Sequence, residues 1–256
     1  MVKRIENLVV VENKSLTKDY FILVLSCANK DISDIKPGQF VQVKVDKSHS
    51  TFLRRPFSVH DVDFSKNTIS LLIKIVGNGT LALSGLKKND TLNVIYPLGN
   101  SFSIPQPGKR ILLAGGGCGI APLLFLGKKL RSHGFIPDLL LGFKDVEQGL
   151  EIDEYNKIGR VYLATEDGSV GQKGYLTDHS ILKSEKYDYV YSCGPEPMLK
   201  NIARYCKDRK IFCEVSLENL MACGIGACLC CVVDTVKGNL CTCTEGPVFN
   251  INDLKW

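Results

Sequence analysis

The first hundred residues carry short apolar runs separated by turn residues, a pattern typical of β-strands. In residues 40–45, Phe-Val-Gln-Val-Lys-Val, apolar and polar side chains alternate, so the three valines share one face. Comparable runs recur as far as Phe102. Several short strands at this spacing predict an antiparallel barrel or sandwich. Residues 81–86 favour a short helix between two of these strands.

A different rhythm begins after the proline-rich joint at residues 104–109. Beyond it, apolar strand-like runs alternate with helix-like runs, which is the βαβ pattern of a parallel sheet with helices on its faces. From Glu214 onward both periods fade into a segment rich in Cys and Gly. The sequence therefore predicts an antiparallel β-barrel, a parallel-sheet α/β domain and a small C-terminal module, over residues 1–103, 108–213 and 214–256.

Composition and charge exclude several classes of partner. The 256 residues are 45% hydrophobic and 23% charged, with a formal net charge of +5 and no long run of like charge. This balance is ordinary for a globular protein and too mild to argue for nucleic acid or an anionic membrane. The uncharged stretch 111–127 is interrupted by several glycines and by Pro122, which suits a strand, a loop and a helix start rather than a bilayer helix.

Cysteine is the most informative residue type. What the cysteines indicate depends on the compartment. The N-terminus has Glu6 and Glu12 around a short apolar run, without a long apolar region or a cleavage site, so we expect a cytoplasmic protein. In a reducing compartment eleven cysteines indicate metal or redox chemistry before disulfides. Six of them fall in one short segment, at positions 223, 228, 230, 231, 241 and 243.

Three of these cysteines have the spacing of an iron–sulfur loop. Cys223, Cys228 and Cys231 follow C-x4-C-x2-C, the spacing of plant-type 2Fe-2S ferredoxins. Gly224 and Gly226 free the backbone between them to turn N–H groups towards sulfur. The C-terminal module is therefore predicted to hold a 2Fe-2S cluster.

The fourth ligand and the type of metal are less constrained by spacing. Either Cys241 or Cys243 can supply the fourth thiolate, and on a strand both side chains would point the same way. In plant-type ferredoxins the fourth cysteine lies further along the chain. A tetrahedral zinc site is the first alternative, although zinc sites usually place two C-x2-4-C pairs far apart. A set of reduced core cysteines is the second alternative.

A glycine loop follows the apolar run at residues 111–114. It reads Gly-Gly-Gly-Cys-Gly from Gly115 to Gly119, and Pro122 stands near the start of the next helix-like run. Glycines let the backbone approach a pyrophosphate, and a helix N-terminus favours an anion. Pro122 takes the last position of the G-x-G-x-x-G fingerprint, so that motif is absent. The loop predicts a dinucleotide site, and the alternative is a turn that merely permits close packing.

Three further motifs carry weaker signals. Cys193-Gly194-Pro195 joins a predicted strand to a helix at the sheet edge where open α/β sheets bind ligands. Residues 53–58, Leu-Arg-Arg-Pro-Phe-Ser, combine cations suited to phosphate with an aromatic ring. Residues 76–80, Val-Gly-Asn-Gly-Thr, fit either a hairpin turn or a phosphate nest.

Together these motifs resemble the ferredoxin-reductase-like flavoprotein family. That family joins a flavin-binding β-barrel with an R-x-[YF]-S motif to a nicotinamide domain with GGG-x-G-x-x-P and CGP motifs. Residues 53–58, 165–169, 216–228 and 243–249 narrow the resemblance to the electron-transfer subunits of type B dihydroorotate dehydrogenase. The resemblance runs from near the N-terminus to Phe249.

The resemblance implies a site for each of three cofactors. FAD would be bound by Arg55, Pro56, Phe57, Ser58, Leu72, Ile73, Lys74, Gly79 and Thr80. NAD would be bound by Gly115, Gly116, Gly117, Cys118, Gly119, Cys193, Gly194 and Pro195, a structural role being the alternative for the two cysteines. The 2Fe-2S cluster would be held by Cys223, Cys228, Cys231 and Cys243. No acid or base residue is implied.

The implied function is an electron relay in pyrimidine (UMP) biosynthesis. A catalytic subunit would oxidise dihydroorotate on its FMN, and electrons would pass through the cluster and FAD to NAD⁺. The resemblance implies a heterotetramer of two catalytic and two electron-transfer subunits. It also favours NAD over NADP, a choice that Lys144, Asp145 and Glu147 leave open.

Two other functions fit parts of the sequence. The same fold serves as a flavin and iron–sulfur subunit of a cytoplasmic hydrogenase or of an NADPH:ferredoxin oxidoreductase complex. A zinc-containing binding module without catalysis is the alternative outside the enzymes. The glycine loop and the flavin motif weigh against it.

Overall fold

The computed structural model describes residues 2–27, 32–46, 48, 50–148 and 151–256. The chain forms two compact units. The first runs to Ser101 and includes residues 219–233 and 239–247; the second contains residues 102–218, 234–238 and 248–256. The C-terminal segment that the sequence sets apart is thus divided between the two units. The reason is that three of its six cysteines pack on the first sheet, whereas its last strand extends the second.

The first unit is built on a seven-stranded antiparallel sheet. Its strands are β1 (Arg4–Ser15), β2 (Tyr20–Ser26), β3 (Phe40–Val43), β4 (Arg55–Ser58), β5 (Asp61–Asp63), β6 (Thr68–Lys74) and β7 (Thr91–Leu98). Their order is β4-β3-β7-β1-β2-β6-β5. Helix α1 (Asn78–Ser84) lies between β6 and β7 and begins three residues before the stretch that the sequence favours.

The connection between β4 and β5 shows how this sheet curls. These strands stand at opposite ends of the sheet order, yet only Val59 and His60 separate them. The Val59 N–H donates to the carbonyl of Gln39, next to β3, at 2.9 Å. The His60 N–H donates to the carbonyl of Ser70 on β6, also at 2.9 Å. Two residues can bridge both ends only if the sheet curls round, as the predicted barrel requires.

The second unit contains a mainly parallel sheet with helices. Its first strands are β8 (Ile111–Gly116), β9 (Asp138–Phe143), β10 (Arg160–Thr165), β11 (Gln172–Lys173), β12 (Tyr189–Cys193) and β13 (Phe212–Ser216). Its helices are α2 (Ala121–Ser132), α3 (Ile152–Asn156), α4 (Ile181–Ser184) and α5 (Glu196–Arg209). The chain then forms a two-stranded sheet from β14 (Val232–Thr235) and β15 (Gly238–Cys241), and ends with β16 (Val248–Asn250). The predicted α/β architecture is confirmed.

Strand order creates a switch point between β8 and β12. The sheet runs β11-β10-β9-β8-β12-β13-β16, and only the β13–β16 pair is antiparallel. After β8 the chain moves outward through β9 and β10, then returns to the other side of β8 as β12. Ligands of open α/β sheets bind outside the carboxyl ends of strands at such a point. The glycine loop and the Cys-Gly-Pro motif follow these two strands.

Burial follows the predicted patterns where both faces of a strand are covered. Leu112, Leu113 and Ala114 of β8 are fully buried, as a central parallel strand requires.

The longest helix in the described part of the chain, α5, has 14 residues. A bilayer span needs about 20, and none of the described helices is long and apolar enough to cross a membrane.

Candidate cofactor sites

The glycine loop leads from β8 into α2 through one turn of 3-10 helix, Gly117–Ile120. Pro122 stands in the first turn of α2, where its missing N–H costs nothing. A Cβ on Gly119 would lie 2.4 Å from the carbonyl oxygen of Cys193. The loop therefore packs directly on the Cys-Gly-Pro motif, and the two sequence motifs form one structure.

The glycines of this loop have different tasks. A Cβ on Gly116 would lie 2.7 Å from Sδ of Met198, and one on Gly194 would lie 2.7 Å from Cε of the same side chain. Close packing explains these glycines and Gly119. Gly117 has a left-handed φ of +54°, and a Cβ there would meet nothing within 4 Å. Gly117 thus leaves open space in front of the loop, as a dinucleotide would need.

The thiol of Cys193 is paired with a carboxylate that lies in the 216–228 motif but was given no role by the sequence. Its Sγ lies 3.9 Å from Oε1 of Glu218. Complete burial raises the pKa of Cys193 well above its usual range. Glu218 keeps solvent access, but the surrounding protein disfavours its charge and raises the pKa of the carboxyl. Cys118 is partly exposed in the loop itself.

The flavin motif forms β4, at one end of the first sheet. All four of its residues, Arg55 to Ser58, are partly exposed, and β4 pairs with β3. A Cβ on Gly79 would lie 3.5 Å from Nε of Arg55. The structure thus brings the arginine of one motif to the glycine of the other. A guanidinium beside the start of α1 is suited to a phosphate group.

The other residues predicted to bind FAD lie on β6 and in α1. The hydroxyl of Thr80 accepts N–H bonds from Val76 and Gly77, at 2.8 and 3.2 Å, so it shapes the turn before α1. The side chains of Leu72 and Ile73 are buried. Lys74 places its Nζ 5.3 Å from the centre of the Tyr20 ring. The β5 ladder covers only residues 68–70 of β6, so residues 72–74 lie beyond its end.

The cysteines of the C-terminal segment contact one another through their thiols. We call residues 223–231 and 241–243 the cysteine nest. The thiols of Cys223 and Cys228 are in hydrogen-bonding contact, and so are those of Cys231 and Cys243. No three His, Cys, Asp or Glu side chains of the described residues converge as a single metal ion would require. The Cys231 thiol also contacts that of Cys241. Thiol contacts spread along the nest, with no three side chains converging, match the two irons of a 2Fe-2S cluster better than one zinc ion.

Backbone N–H groups of the nest point at sulfur. The N–H groups of Ile225 and Cys228 lie 3.5 and 3.4 Å from Sγ of Cys223. Partial burial raises the pKa of Cys223, but these N–H groups, the Cys228 thiol and the N–H of Ala227 lower it to about 6. A thiol with a lowered pKa is prepared for metal binding as the thiolate. Burial and the Cys231 thiol instead raise the pKa of Cys243 to about 12. The fit to an iron–sulfur cluster therefore rests on the thiol contacts and on the N–H groups that face sulfur.

Geometry also separates the two candidates for the fourth ligand. β15 ends at Cys241, and Cys243 lies in the turn that follows, so strand parity does not relate them. The N–H of Gly226 donates to the Cys243 thiol. Cys241 also contacts the Cys231 thiol, but it lies near Glu245, whose negative charge disfavours a thiolate there. The N–H bond from Gly226 therefore favours Cys243 over Cys241 as the fourth cluster ligand.

Comparisons with known proteins agree with this geometry. The iron–sulfur cluster binding domain of dihydroorotate dehydrogenase B matches residues 218–255, and an oxidoreductase FAD-binding domain matches residues 7–102. The chain is 41% identical to the dihydroorotate dehydrogenase B (NAD⁺) electron transfer subunit of Clostridium acetobutylicum, over 86% of this chain and 87% of the relative. It is 35% identical to the subunit of the same name from Shouchella clausii, over 99% of both chains.

The chain belongs to the family of dihydroorotate dehydrogenase B electron transfer subunits. A solved structure of similar fold is that of an NADH-dependent reduced ferredoxin-NADP oxidoreductase, described in a study of flavin-based electron bifurcation. Its TM-score is 0.86 at 28% identity, with 97% of this chain and 90% of that chain covered. Membership of the electron transfer subunit family agrees with the predicted resemblance, and so do the two matched cofactor domains.

Proposed function

We propose that this chain is the electron-transfer subunit of an NAD⁺-dependent dihydroorotate dehydrogenase in pyrimidine (UMP) biosynthesis. A catalytic partner that holds FMN oxidises dihydroorotate, and this chain delivers the electrons to NAD⁺. Relatives that share 35 to 41% of its sequence carry that function in their names. The assembly is a heterotetramer of two catalytic and two electron-transfer subunits, located in the cytoplasm.

One observation carries the proposal: the cysteine nest packs on the strand beside the flavin motif. Phe40 of β3 lies in a buried cluster with Cys231, Cys241 and Cys243. The same strand pairs with β4, where Val41 stands opposite Phe57. When bound, a 2Fe-2S cluster carries single electrons, and FAD exchanges both single electrons and a hydride. A chain that holds both groups side by side joins one-electron to two-electron chemistry.

The chain's own residues bind and orient these groups. Cys223, Cys228, Cys231 and Cys243 supply four thiolates, and the N–H groups of the nest offset their negative charge. Arg55 binds a phosphate of FAD with its guanidinium beside Gly79. The partly exposed ring of Phe57 would offer an aromatic surface to the flavin.

The glycine loop and the Cys-Gly-Pro motif bind NAD⁺ at the switch point between β8 and β12. Residues 115–119 and 193–195 line that point, and the open space at Gly117 admits the pyrophosphate. Hydride transfer between a flavin and a nicotinamide needs no acid or base from the protein. The task of these residues is to position the nicotinamide and exclude water.

The test is to purify the chain with and without a co-expressed catalytic subunit. We expect flavin and iron–sulfur absorbance that bleaches when NADH is added without oxygen. We also expect dihydroorotate-dependent NAD⁺ reduction only in the co-purified complex. A colourless protein that holds zinc would contradict the redox function. A coloured protein that ignores dihydroorotate with its partner would contradict the assigned partner.

The second candidate is a subunit of a ferredoxin:NADP oxidoreductase complex. The likeness to an NADH-dependent reduced ferredoxin-NADP oxidoreductase favours it. The identity of 28% to that chain is lower than the 41% to the dihydroorotate dehydrogenase subunit. Turnover with reduced ferredoxin, in the absence of the catalytic partner, would support this candidate instead.

A further inference from the structure

A fully buried glutamine has no partner for its side chain. Gln42 on β3 is 0% exposed, and in the described part of the chain neither Nε2 nor Oε1 has a hydrogen-bond partner. Burying an amide without a partner is costly, so buried polar groups are nearly always paired. The Gln42 amide therefore needs a hydrogen-bond partner other than the described protein groups.

Strand geometry directs this side chain towards the cysteine nest. Alternate residues of a strand share a face, so Gln42 lies on the same face as Phe40. Phe40 packs against Cys231, Cys241 and Cys243. Val41 and Val43 take the opposite face. Gln42 is thus the polar residue on the cysteine side of β3.

The amide of Gln42 touches the loop that follows the first cysteine. A Cβ on Gly224 would lie 2.6 Å from Cγ and 2.8 Å from Nε2 of Gln42. Gly224 has a left-handed φ of +69° and directly follows Cys223. Only glycine allows both this backbone conformation and this close contact. The nest is therefore shaped around the glutamine side chain.

A second buried polar group without a partner lies in the same nest. Thr242 is 0% exposed, and its Oγ1 has no hydrogen-bond partner among the described residues. Its own N–H donates to the carbonyl of Cys231 at 2.9 Å. Among all the described residues, five buried side-chain atoms lack a hydrogen-bond partner, and three of these five belong to Gln42 and Thr242. The unpaired polar atoms are thus concentrated around the cysteines.

We propose that Nε2 of Gln42 donates a hydrogen bond to sulfur of the 2Fe-2S cluster, and that the Thr242 hydroxyl donates a second. This inference rests on the proposed function, because it requires the cluster. Sulfide and thiolate sulfur are anionic acceptors, so the N–H end of the amide is the end they engage. Such bonds favour the more negative, reduced cluster and raise its reduction potential.

The position of Gln42 connects this effect to the flavin. On one side of β3, Gln42 stands opposite Pro56 of the flavin motif on β4. On the other side it stands opposite Ile95 on β7. Gln42 therefore lies on the strand that packs against the nest and pairs with the flavin motif. A change of potential at this point alters the driving force for electron transfer between the two groups.

The test compares the full-length chain, purified with its catalytic partner, before and after Gln42→Leu. The cluster is titrated with a reductant while EPR monitors its reduced form. At the wild-type midpoint potential we expect the ratio of reduced to oxidised cluster to fall about tenfold. For a one-electron couple this corresponds to a shift of about 59 mV. Gln42→Met and Thr242→Val should shift the potential in the same direction.

Gln39 provides a matched control on the same segment. It is also a buried glutamine, but its Nε2 donates to the carbonyl of Gly99 at 3.0 Å and its Oε1 accepts the Lys36 N–H at 2.8 Å. Gln39→Leu should lower thermal stability and leave the cluster potential unchanged. Pulsed EPR with ¹⁵N-labelled glutamine should detect a side-chain nitrogen coupled to the reduced cluster in the wild type. The coupling should vanish in Gln42→Leu.

The possible outcomes distinguish failure of this inference from failure of the proposed function on which it rests. An unchanged potential together with no side-chain nitrogen coupling would overturn the inference and leave an ordered water as the partner of Gln42. The proposed function would stand in that case, because the cluster is present. Purified protein that lacks iron and sulfide would instead contradict the proposed function itself.

Discussion

The thiol of Cys193 and the carboxylate of Glu218 lie 3.9 Å apart, at the ends of two neighbouring parallel strands. β12 ends at Cys193, and Glu218 follows the end of β13 by two residues. Burial raises the pKa of Cys193, so its thiol stays protonated at neutral pH and donates to the carboxylate. This pair lies beside the loop that we propose to bind NAD⁺.

Replacing the carboxyl by an amide should change how stability depends on pH. The surrounding protein raises the pKa of Glu218 above its ordinary value of 4.5. The folded state therefore binds this proton more tightly than the unfolded state, and wild-type stability falls as pH rises from 4.5 through the raised pKa. In Glu218→Gln that loss should be absent. The gain in melting temperature over wild type should be small at acidic pH and larger at neutral pH. A pH-independent difference would contradict the prediction.

Adding a methyl group to the glycine loop should disrupt it. In Gly119→Ala the new Cβ would lie 2.4 Å from the Cys193 carbonyl oxygen, a backbone atom that cannot move aside alone. We expect a loss of about 1–3 kcal/mol of stability and weaker NADH binding. Gly85→Ala is the control, because its φ is −85° and its Cβ would meet only an ordinary contact at 3.6 Å. Thermal unfolding and NADH titration measure both effects. Equal stability of the two variants would contradict the packing argument.

Serine substitutions should distinguish cluster ligands from surplus cysteines. Cys243→Ser should lose most of the iron and the visible iron–sulfur absorbance, because it removes one thiolate of a pair. Cys230→Ser should keep both, since Cys230 is exposed beside the buried Cys231. Iron and sulfide analysis of the purified variants is the measurement. Full iron content in Cys243→Ser, with loss in Cys241→Ser, would assign the fourth ligand to Cys241.

The two adjacent arginines should differ in what they support. Arg54 donates from Nη1 to the carbonyl of Asn93 at 2.9 Å and from Nη2 to its side chain, which ties it to β7. Arg55 lies beside Gly79. Arg55→Ala should weaken FAD binding about tenfold to a hundredfold, as loss of a hydrogen bond to a charged group implies. Arg54→Ala should mainly lower the melting temperature. FAD titration of the apoprotein and thermal unfolding measure the two effects. Weaker FAD binding in Arg54→Ala, with a lower melting temperature only in Arg55→Ala, would contradict the prediction.

Local signals along the chain were enough to predict the two kinds of sheet. Alternation in residues 40–45 and the strand–helix rhythm after residue 109 depend only on neighbouring residues, and the structure has both sheets. Cysteine spacing likewise predicted an iron–sulfur loop, because one short segment supplies three of its four thiolates.

Only the tertiary structure decided which distant residues meet these local motifs. The alternating pattern of β3 marked Gln42 only as a polar position. In the structure residues 219–233 belong to the same compact unit as β3, and Gln42 is buried there. Met198 reaches Gly116 and Glu218 reaches Cys193 for the same reason, since strand order brings the carboxyl ends of β8, β12 and β13 together. The sequence by itself predicted the two kinds of sheet and the iron–sulfur module, because these follow from local residue pattern. The pairing of Cys193 with Glu218 and of Gln42 with the nest depends on contacts across long separations, which no local pattern records.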